Sequence, residues 1–410
     1  MKRNIHSFLL FFLPVICLAQ QSYPITFQHD GKTVYGTFTT PDGSGKFPAI
    51  IINPGSGAND RDGTIQMIGG NVLCLYPDLV GETLTPYKDL SDALVDSGYA
   101  VLRYDKLEFT YPTTLAPITF HKLWLPVESA IAYVKTRTDV DTNRIILIGH
   151  SEGSSLIPFI AENRTDIKAL ISIAGPRTPF DSIYAYQIVE IAQTCNGDTV
   201  QAQNTADDIL NYFLNVRAGL CGALPPLFGV PACVWREYVK ATDSVALRYN
   251  RNDLPTLFIG LGLDFNVPPA ELIRFQNDVY ITDDFWSIPD LNHFMTPNDD
   301  PHVSMTLTDT IIYWLRQNNF ATSISNEVPM ENYIQVYPNP FQSEVLINVD
   351  GDFRNASCSV YNIYGHMVSY KEYIDLNYSA SIDLSSLTGG MYFIELNVDG
   401  NRIIKKIIKE

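Results

Sequence analysis

The chain has 410 residues, of which 46% are hydrophobic and 18% are charged; this composition is typical of globular domains and excludes a disordered chain. Its formal net charge of −17 at pH 7 argues against nucleic acid or an anionic membrane surface as the main partner. A chain of this length exceeds the usual size of one domain, so we expect more than one.

The first residues have the pattern of an export signal. The basic start MKR is followed by the apolar run FLLFFLPVICLA, and Cys17 and Ala19 supply small residues where signal peptidase reads. We predict a signal peptide at residues 1–19 and a secreted or cell-surface protein exported through the periplasm. The alternative is a lipoprotein anchored at Cys17, which the bulky Ile16 disfavours.

Five cysteines remain after such a signal: Cys74, Cys195, Cys221, Cys233 and Cys358. An odd number in an exported protein allows two disulfides and one free thiol. Because three of the five fall in one segment, we expect a local disulfide there, although sequence does not select the pair. Neither the cysteines nor the histidines have metal-ligand spacing, and we expect no metal and no cofactor.

Strands and helices alternate over residues 22–322. A β-meander opens this region, and LSDALVDSGYAVLRYD reads as a helix followed by a strand. HKLWLPVESAIAYVKTRT predicts a second helix before the strand IILIG, while IKALISIAG and LPTLFIGLGLD predict two more strands. The alternation predicts an α/β domain with a mostly parallel sheet. The long helical segment at about 178–250 predicts a cap above the edge of the sheet.

The pattern of residues changes after residue 322. The polar stretch ATSISNEVPMEN has no periodicity, and we predict a linker at residues 323–332. Residues 333–410 contain short alternating strands such as EVLINV, CSVYNIYG and MYFIELNV, separated by turn residues. This pattern predicts a small all-β sandwich.

The apolar strand IILIG ends at Gly149-His150-Ser151-Glu152-Gly153. A serine becomes a strong nucleophile only when it is oriented, deprotonated by a base and placed near oxyanion donors. A sharp strand-to-helix turn can orient it, provided that the residues two before and two after are very small. We therefore predict Ser151 as the nucleophile and the Glu152 N–H as an oxyanion donor. The alternative is a glycine-flanked turn whose serine has no catalytic role.

An elbow serine predicts an acid and then a histidine, both later in the chain and both after strands. Asp264 follows TLFIGLGL directly, and His293 follows the predicted strand DDFWSIP. We predict that Asp264 orients His293 and that His293 is the general base. The alternatives are His302 as the base and Asp283 or Asp284 as the acid.

A second oxyanion donor is expected from the loop after an earlier strand. The stretch FPAIIINPGSGANDRDG fits, because Gly55 and Gly57 let the backbone approach a substrate closely. We predict the Ser56 N–H as this donor. The alternative is an ordinary glycine-rich turn.

Six motifs of the chain resemble, in the same order, those of α/β-hydrolases of the serine-aminopeptidase/esterase type. They are NPGSGANDRDG, SGYAVLRYD, VDTNRIILIGHSEGSS, SIAGP, GLGLDFNVPP and DLNHF, and they cover roughly residues 25–320. The resemblance implies the α/β-hydrolase fold and a triad of Ser151, Asp264 and His293. It supports Ser56 and Glu152 as oxyanion donors, and it implies that the acidic and basic side chains of the NDRDG stretch are structural or lie at the rim.

The chain departs from that subgroup near the mouth of the predicted site. Pro54 stands where a histidine is usual, DKLEFT replaces an Asp-Lys-Arg-Gly turn, and Thr64 to Thr85 read as an insertion. Ser154 replaces a common third glycine. None of these departures touches the predicted triad, but the first three concern substrate preference.

The last residues resemble a second family. VYPNPFQSEVLINV, VYNIYGHMV, IDLSSLTGGMYFIEL and KKIIKE are similar to the C-terminal sorting domain of type IX secretion substrates. The resemblance implies a β-sandwich that the type IX secretion machinery reads as an address. The alternative is a carbohydrate-binding or adhesive module.

The sequence as a whole predicts a secreted serine hydrolase that cleaves a carboxylic ester through an acyl-enzyme, acting on a small-molecule ester or peptide-like substrate. Export disfavours coenzyme A thioesters, which are cytosolic. Two alternatives remain: a serine peptidase of the aminopeptidase type, and an inactive hydrolase fold used for binding. Sequence leaves the oligomeric state open.

Overall fold

The computed structural model describes residues 21–43, 45–112, 120–279, 283–320, 334–353, 356–362, 367–373, 376–398 and 401–410. The predicted signal peptide, residues 1–19, and the predicted linker, residues 323–332, lie outside this set. The chain divides into two compact units, Met1–Thr322 and Ser323–Glu410.

The first unit alternates strands and helices. Its strands are β1 (Gln21–His29), β2 (Lys32–Thr40), β3 (Phe47–Asn53), β4 (Ile65–Gln66), β5 (Thr83–Leu84), β6 (Ala100–Tyr104), β7 (Val140–His150), β8 (Ile167–Ile173), β9 (Thr256–Leu261) and β10 (Asp284–Ile288). Its helices are α1 (Val72–Leu75), α2 (Pro86–Asp96), α3 (Leu107–Thr110), α4 (Phe120–Lys135), α5 (Glu152–Ala161), α6 (Phe180–Thr194), α7 (Thr199–Arg217), α8 (Ala232–Thr242), α9 (Val245–Asn252), α10 (Ala270–Asp278) and α11 (Met305–Gln317).

Eight of these strands form one sheet, in the order β1-β2-β6-β3-β7-β8-β9-β10. The β1–β2 and β2–β6 pairs are antiparallel, and every later pair is parallel. The mostly parallel sheet predicted from the sequence is therefore confirmed. Because the carboxyl ends of parallel strands meet at one edge, the residues that follow β3, β7, β9 and β10 are brought together there.

Both faces of this sheet are buried, which explains the unbroken apolar runs in its strands. Ile51 of β3 and Leu147 of β7 belong to one core, which includes α4 and α5. Their chain neighbours Ile50 and Ile148 belong to the other core, which includes α2 and α11. Alternate side chains of a strand point to opposite faces, so one continuous run fills two cores.

The segment between β8 and β9 contains α6 to α9. Phe213, Cys221 and Val239 centre a small core of its own, closed by the disulfide between Cys221 and Cys233. This is the local disulfide expected from the cysteine spacing. Helix α9, which the predicted cap boundary of about 250 included, instead packs its buried side chains into the main core beside α5.

Residues 64–85, read as an insertion, form a compact flap of their own. Strands β4 and β5 pair as a two-stranded ribbon, and Met67, Tyr76 and Leu84 are among the residues of its core. Phe265 and Phe294 pack against that core. Cys74 of α1 forms a disulfide with Cys195, at the end of α6. The flap is thereby tied both to the cap and to the residues that follow Asp264 and His293.

The second unit is all antiparallel. Its strands are β11 (Ile334–Tyr337), β12 (Glu344–Phe353), β13 (Ala356–Asn362), β14 (Met367–Tyr373), β15 (Leu376–Asp383), β16 (Gly390–Val398) and β17 (Asn401–Lys409). They form two sheets, β11-β12-β15 and β14-β13-β16-β17, whose buried residues share one core. The predicted all-β sandwich is thus confirmed, and Cys358 lies in its core as a free, buried thiol. No helix in the described parts of the chain is long and apolar enough to cross a membrane.

Candidate active site

Ser151 sits on a strained turn between β7 and α5. Its backbone angles φ and ψ are 53° and −122°, a conformation that residues other than glycine rarely adopt. The turn is held by the Ser151 N–H, which donates to the Ile173 carbonyl at 2.9 Å. A Cβ on Gly149 would lie 2.5 Å from the Gly153 carbonyl oxygen, and a Cβ on Gly153 would lie 2.2 Å from that of Asn53. Both positions therefore require glycine.

The two predicted oxyanion donors belong to different elements, Glu152 to α5 and Ser56 to the loop after β3. Glu152 is the first residue of α5, and the loop after β3 passes directly over the serine, because a Cβ on Gly55 would lie 3.2 Å from the Ser151 Cβ. Within the part of the chain that the structure describes, the backbone N–H groups of Ser56 and Glu152 donate to no other residue. The Glu152 N–H is at the positive end of α5.

Asp264 and His293 are in direct contact. The Nδ1 atom of His293 lies 2.7 Å from Oδ2 of Asp264, and both side chains are buried. The other carboxylate oxygen accepts the backbone N–H groups of Asn266 and Val267, at 2.8 and 2.9 Å. The carboxylate is thus fixed from both sides, and its contact with His293 occupies Nδ1 rather than Nε2.

The side chain of His150 joins the elbow to the loop that carries His293. Its Nε2 lies 2.8 Å from the His293 carbonyl oxygen, and its Nδ1 lies 2.9 Å from the hydroxyl of Tyr87, on α2. The same hydroxyl accepts the Gly55 N–H at 2.9 Å. Burial, and then the neighbouring His293, lowers the pKa of His150 to about 3. Sequence reasoning assigned His150 and Tyr87 no role, and no local pattern marks the tyrosine.

The alternative base His302 and the alternative acid Asp284 have other partners. The His302 side chain is 77% exposed and lies 3.3 Å from Asp89 of α2. Asp284 accepts a hydrogen bond from the Trp314 indole at 2.6 Å. Burial, and then the charge of Asp284, raises the pKa of Asp283 to about 7. Of the predicted acids and bases, Asp264 and His293 are the two that the structure brings together.

The charged residues after the glycine-rich loop anchor it to the sheet. Arg61 forms a bidentate ion pair with Asp105 at the end of β6, at 2.9 and 2.6 Å, and Asp62 pairs with Arg103. Asp60 accepts the backbone N–H groups of the following turn. These contacts give the NDRDG stretch a structural part, because they fix the loop that holds Ser56.

The carboxylate of Glu152 is already occupied. Its Oε2 lies 3.2 Å from Nζ of Lys106, and its Oε1 accepts the hydroxyl of Tyr238 on α8 at 2.6 Å. The same Nζ donates to the Gly55 carbonyl at 2.9 Å. Among the described residues, no group of three His, Cys, Asp or Glu side chains is arranged to hold a metal ion.

The sheet order, the serine elbow and the His–Asp pair beyond the next strands are the features of the α/β-hydrolase fold. Two family models match parts of the chain. Residues 335–410 match a secretion system C-terminal sorting domain, which confirms the type IX sorting domain that the sequence resembles. Residues 127–220, which include Ser151, match the BAAT / acyl-CoA thioester hydrolase C-terminal domain. The sheet order and the two model matches agree with a hydrolase of the esterase/peptidase type that carries a C-terminal sorting domain.

Among curated proteins, the chain is similar to esterase EstD of Thermotoga maritima. The two are 27% identical over 316 residues, which is 71% of this chain and 68% of the relative. Among solved structures, the chain is similar to acetyl xylan esterase 1 of Thermoanaerobacterium sp. (14% identity, 77% of this chain and 86% of that one, TM-score 0.46). It is also similar to the acylaminoacyl peptidase of Pyrococcus horikoshii (12% identity, 76% of this chain and 44% of that one, TM-score 0.49).

Proposed function

We propose that the protein is a secreted serine hydrolase that cleaves carboxylic esters through an acyl-enzyme. The observations that carry this proposal are the contact between His293 and Asp264 and the strained turn at Ser151, whose neighbour His150 contacts the His293 carbonyl oxygen. A strained serine next to an oriented imidazole and two available N–H groups is the arrangement that acyl transfer requires.

The residues have distinct roles in this mechanism. The Ser151 Oγ attacks the acyl carbon while the Nε2 of His293 takes its proton, and the N–H groups of Ser56 and Glu152 stabilise the negative oxygen of the tetrahedral intermediate. His293 then gives the proton to the leaving alcohol, and Asp264 stabilises the charged imidazole. Water then attacks the acyl-enzyme while His293 takes its proton. His293 returns that proton to the Ser151 Oγ, which releases the carboxylic acid.

The surroundings of Ser151 favour an ester over a peptide with a free amino terminus. An exopeptidase needs an unpaired carboxylate to bind the substrate amine. The carboxylate adjacent to the nucleophile, that of Glu152, is taken up by Lys106 and by the hydroxyl of Tyr238. The curated relative is an esterase, which agrees with this reading. The acyl-CoA thioester hydrolase match supports acyl transfer, and export separates the protein from cytosolic coenzyme A thioesters.

The sorting domain supports the proposed route. We infer that the signal peptide at residues 1–19 directs the chain to the periplasm and that the type IX machinery then recognises residues 335–410. The proposed substrate is a small-molecule ester outside the cell, with a peptide-like substrate as the alternative. The net charge of −17 disfavours binding to nucleic acid.

The test compares p-nitrophenyl esters of graded acyl length with aminoacyl-p-nitroanilides, using the purified mature chain and its Ser151→Ala variant. We expect the esters to be cleaved in preference to the anilides, and kcat to fall by at least about 10³-fold in the variant. Ser97→Ala, at the end of α2, is the matched control and should keep wild-type rates.

Two outcomes would change the assignment. Preferential cleavage of the anilides, lost in Ser151→Ala, would make the protein a peptidase. Equal inertness of wild type and variant towards both panels and towards a fluorophosphonate probe would leave a hydrolase fold used for binding.

A further inference from the structure

We propose that Lys106 is a positioning residue that orients the Ser56 oxyanion donor, an inference that rests on the proposed function. Lys106 follows β6 and is 7% exposed, although it carries an ammonium group. Its Nζ contacts the Gly55 carbonyl oxygen at 2.9 Å and the Glu152 carboxylate at 3.2 Å. This buried cation therefore links the loop of Gly55 to Glu152, the residue that follows the proposed nucleophile.

The contact with Gly55 sets the direction of the Ser56 N–H. The Gly55 carbonyl and the Ser56 N–H belong to one planar trans peptide, so they point in opposite directions. Lys106 and the amide of Asn59, at 3.0 Å, both donate to that carbonyl. With the oxygen held on their side, the Ser56 N–H is directed away from Lys106 and Asn59.

This peptide needs holding because its first residue is a glycine. A Cβ on Gly55 would be tightly placed, 3.2 Å from the Ser151 Cβ and 3.4 Å from Nδ1 of His150. Close approach therefore requires the residue whose backbone rotates most freely. A peptide flip would replace the N–H at the site by a carbonyl oxygen, which repels the developing anion. Lys106 opposes that flip.

The second partner of Lys106 couples this donor to the other one. Glu152 contributes its own backbone N–H as the second proposed donor, and its carboxylate receives Lys106 on one oxygen and Tyr238 on the other. One ammonium therefore sets the spacing between the loop after β3 and the start of α5. Tyr238 extends the contact to the cap.

The test uses the purified mature full-length chain with Lys106→Met, assayed with the p-nitrophenyl ester that the wild type cleaves best. We expect kcat to fall about 10- to 100-fold and KM to stay within about twofold, because a misoriented donor weakens transition-state binding alone. Affinity for a trifluoromethyl ketone of the same acyl length, whose adduct carries an oxyanion, should fall by the same factor as kcat. Affinity for the matching methyl ketone should not change.

Lys88→Met removes a lysine of the exposed Lys88–Asp92 pair on α2 and is the matched control, with wild-type kinetics expected. Because Lys106→Met leaves Glu152 buried without its cation, the double variant Lys106→Met/Glu152→Gln is tested as well. It should keep the low kcat even when its melting temperature matches that of the wild type.

Three results separate the possibilities. A folded Lys106→Met or double variant with kcat within twofold of wild type overturns the inference and leaves the proposed function intact. Equal loss of affinity for both ketones also overturns it, because it indicates general damage to the site. A wild type that is inert towards esters and fluorophosphonate contradicts the proposed function itself, and with it the role of Lys106.

Discussion

His150 is held in one tautomer by its two partners. Its Nε2 faces the His293 carbonyl oxygen, which can only accept, so Nε2 carries the proton. The pKa of about 3 keeps the ring neutral, so Nδ1 accepts the hydroxyl proton of Tyr87. That hydroxyl in turn accepts the Gly55 N–H. Tyr87 therefore joins the loop of Ser56 to the elbow, and through His150 to the loop of His293.

Tyr87→Phe should destabilise the protein by about 1–3 kcal/mol. The change leaves the Gly55 N–H and the His150 Nδ1 buried without their partner, and each such group costs free energy. Urea unfolding monitored by tryptophan fluorescence measures the difference. We also expect a lower kcat, because the loop that carries Ser56 loses one of its anchors.

Tyr99→Phe is the matched control. Tyr99 is fully buried, and its hydroxyl has no hydrogen-bond partner in the described parts of the chain. Removing that hydroxyl should leave the free energy of unfolding unchanged or raise it. If Tyr87→Phe and Tyr99→Phe had equal stability and wild-type activity, the hydrogen bonds of Tyr87 would have no energetic role.

At the scale of elements, helix α6 is tethered to the rest of the first unit at two places. Its C-terminal end is joined to the flap by the disulfide between Cys74 and Cys195. Nearer its middle, the Gln187 amide donates to the Asn266 carbonyl, two residues after Asp264, at 2.7 Å. Cap, flap and acid loop are therefore connected in one ring of contacts around the predicted triad.

Replacing Cys74 and Cys195 by serine should cost more stability than replacing Cys221 and Cys233. The first disulfide closes a separation of 121 residues and the second one of 12. Loop-closure entropy gives about 5 kcal/mol for the longer loop and about 3 kcal/mol for the shorter. We also expect the first double variant alone to accept longer acyl chains, because the cap can then move away from the flap.

Differential scanning calorimetry of the two double variants, with the ester panel run on each, checks this prediction. Equal melting temperatures, together with unchanged acyl preference in Cys74→Ser/Cys195→Ser, would contradict it.

At the scale of the whole molecule, the predicted site and the sorting domain lie in different units. Every predicted site residue lies in the first unit, and the sorting domain match falls in the second. The second unit has a core of its own, with buried residues from both of its sheets. Its fold therefore does not depend on filling the hydrolase core.

Deleting residues 335–410 should block export and leave the chemistry unchanged. Expressed in a bacterium with a type IX system, the truncated protein should stay with the cells, while the full chain reaches the medium or the cell surface. Ester hydrolysis in fractions measures both, and Ser151→Ala with an intact tail is the matched control, because it should be exported but inactive. Export of the truncated protein at the wild-type level would contradict this reading of the tail.

Much of the fold was determined by the sequence alone, because its signals are local. The apolar run of IILIG, the glycines around Ser151 and the turn residues of the last domain act within a few residues of one another. The parallel sheet and the β-sandwich follow from such patterns. The order of Ser151, Asp264 and His293 also follows, because each of them stands at the end of a recognisable strand.

Only the tertiary structure decided which distant groups meet. Tyr87 and His150 are 63 residues apart, Lys106 and Gly55 are 51 apart, and the disulfide joins cysteines 121 apart. None of these partners has a local pattern, because a buried polar group needs a partner but does not specify where along the chain that partner lies. The folded sheet brings the ends of its strands to one edge, and residues that are distant in the sequence come into contact there.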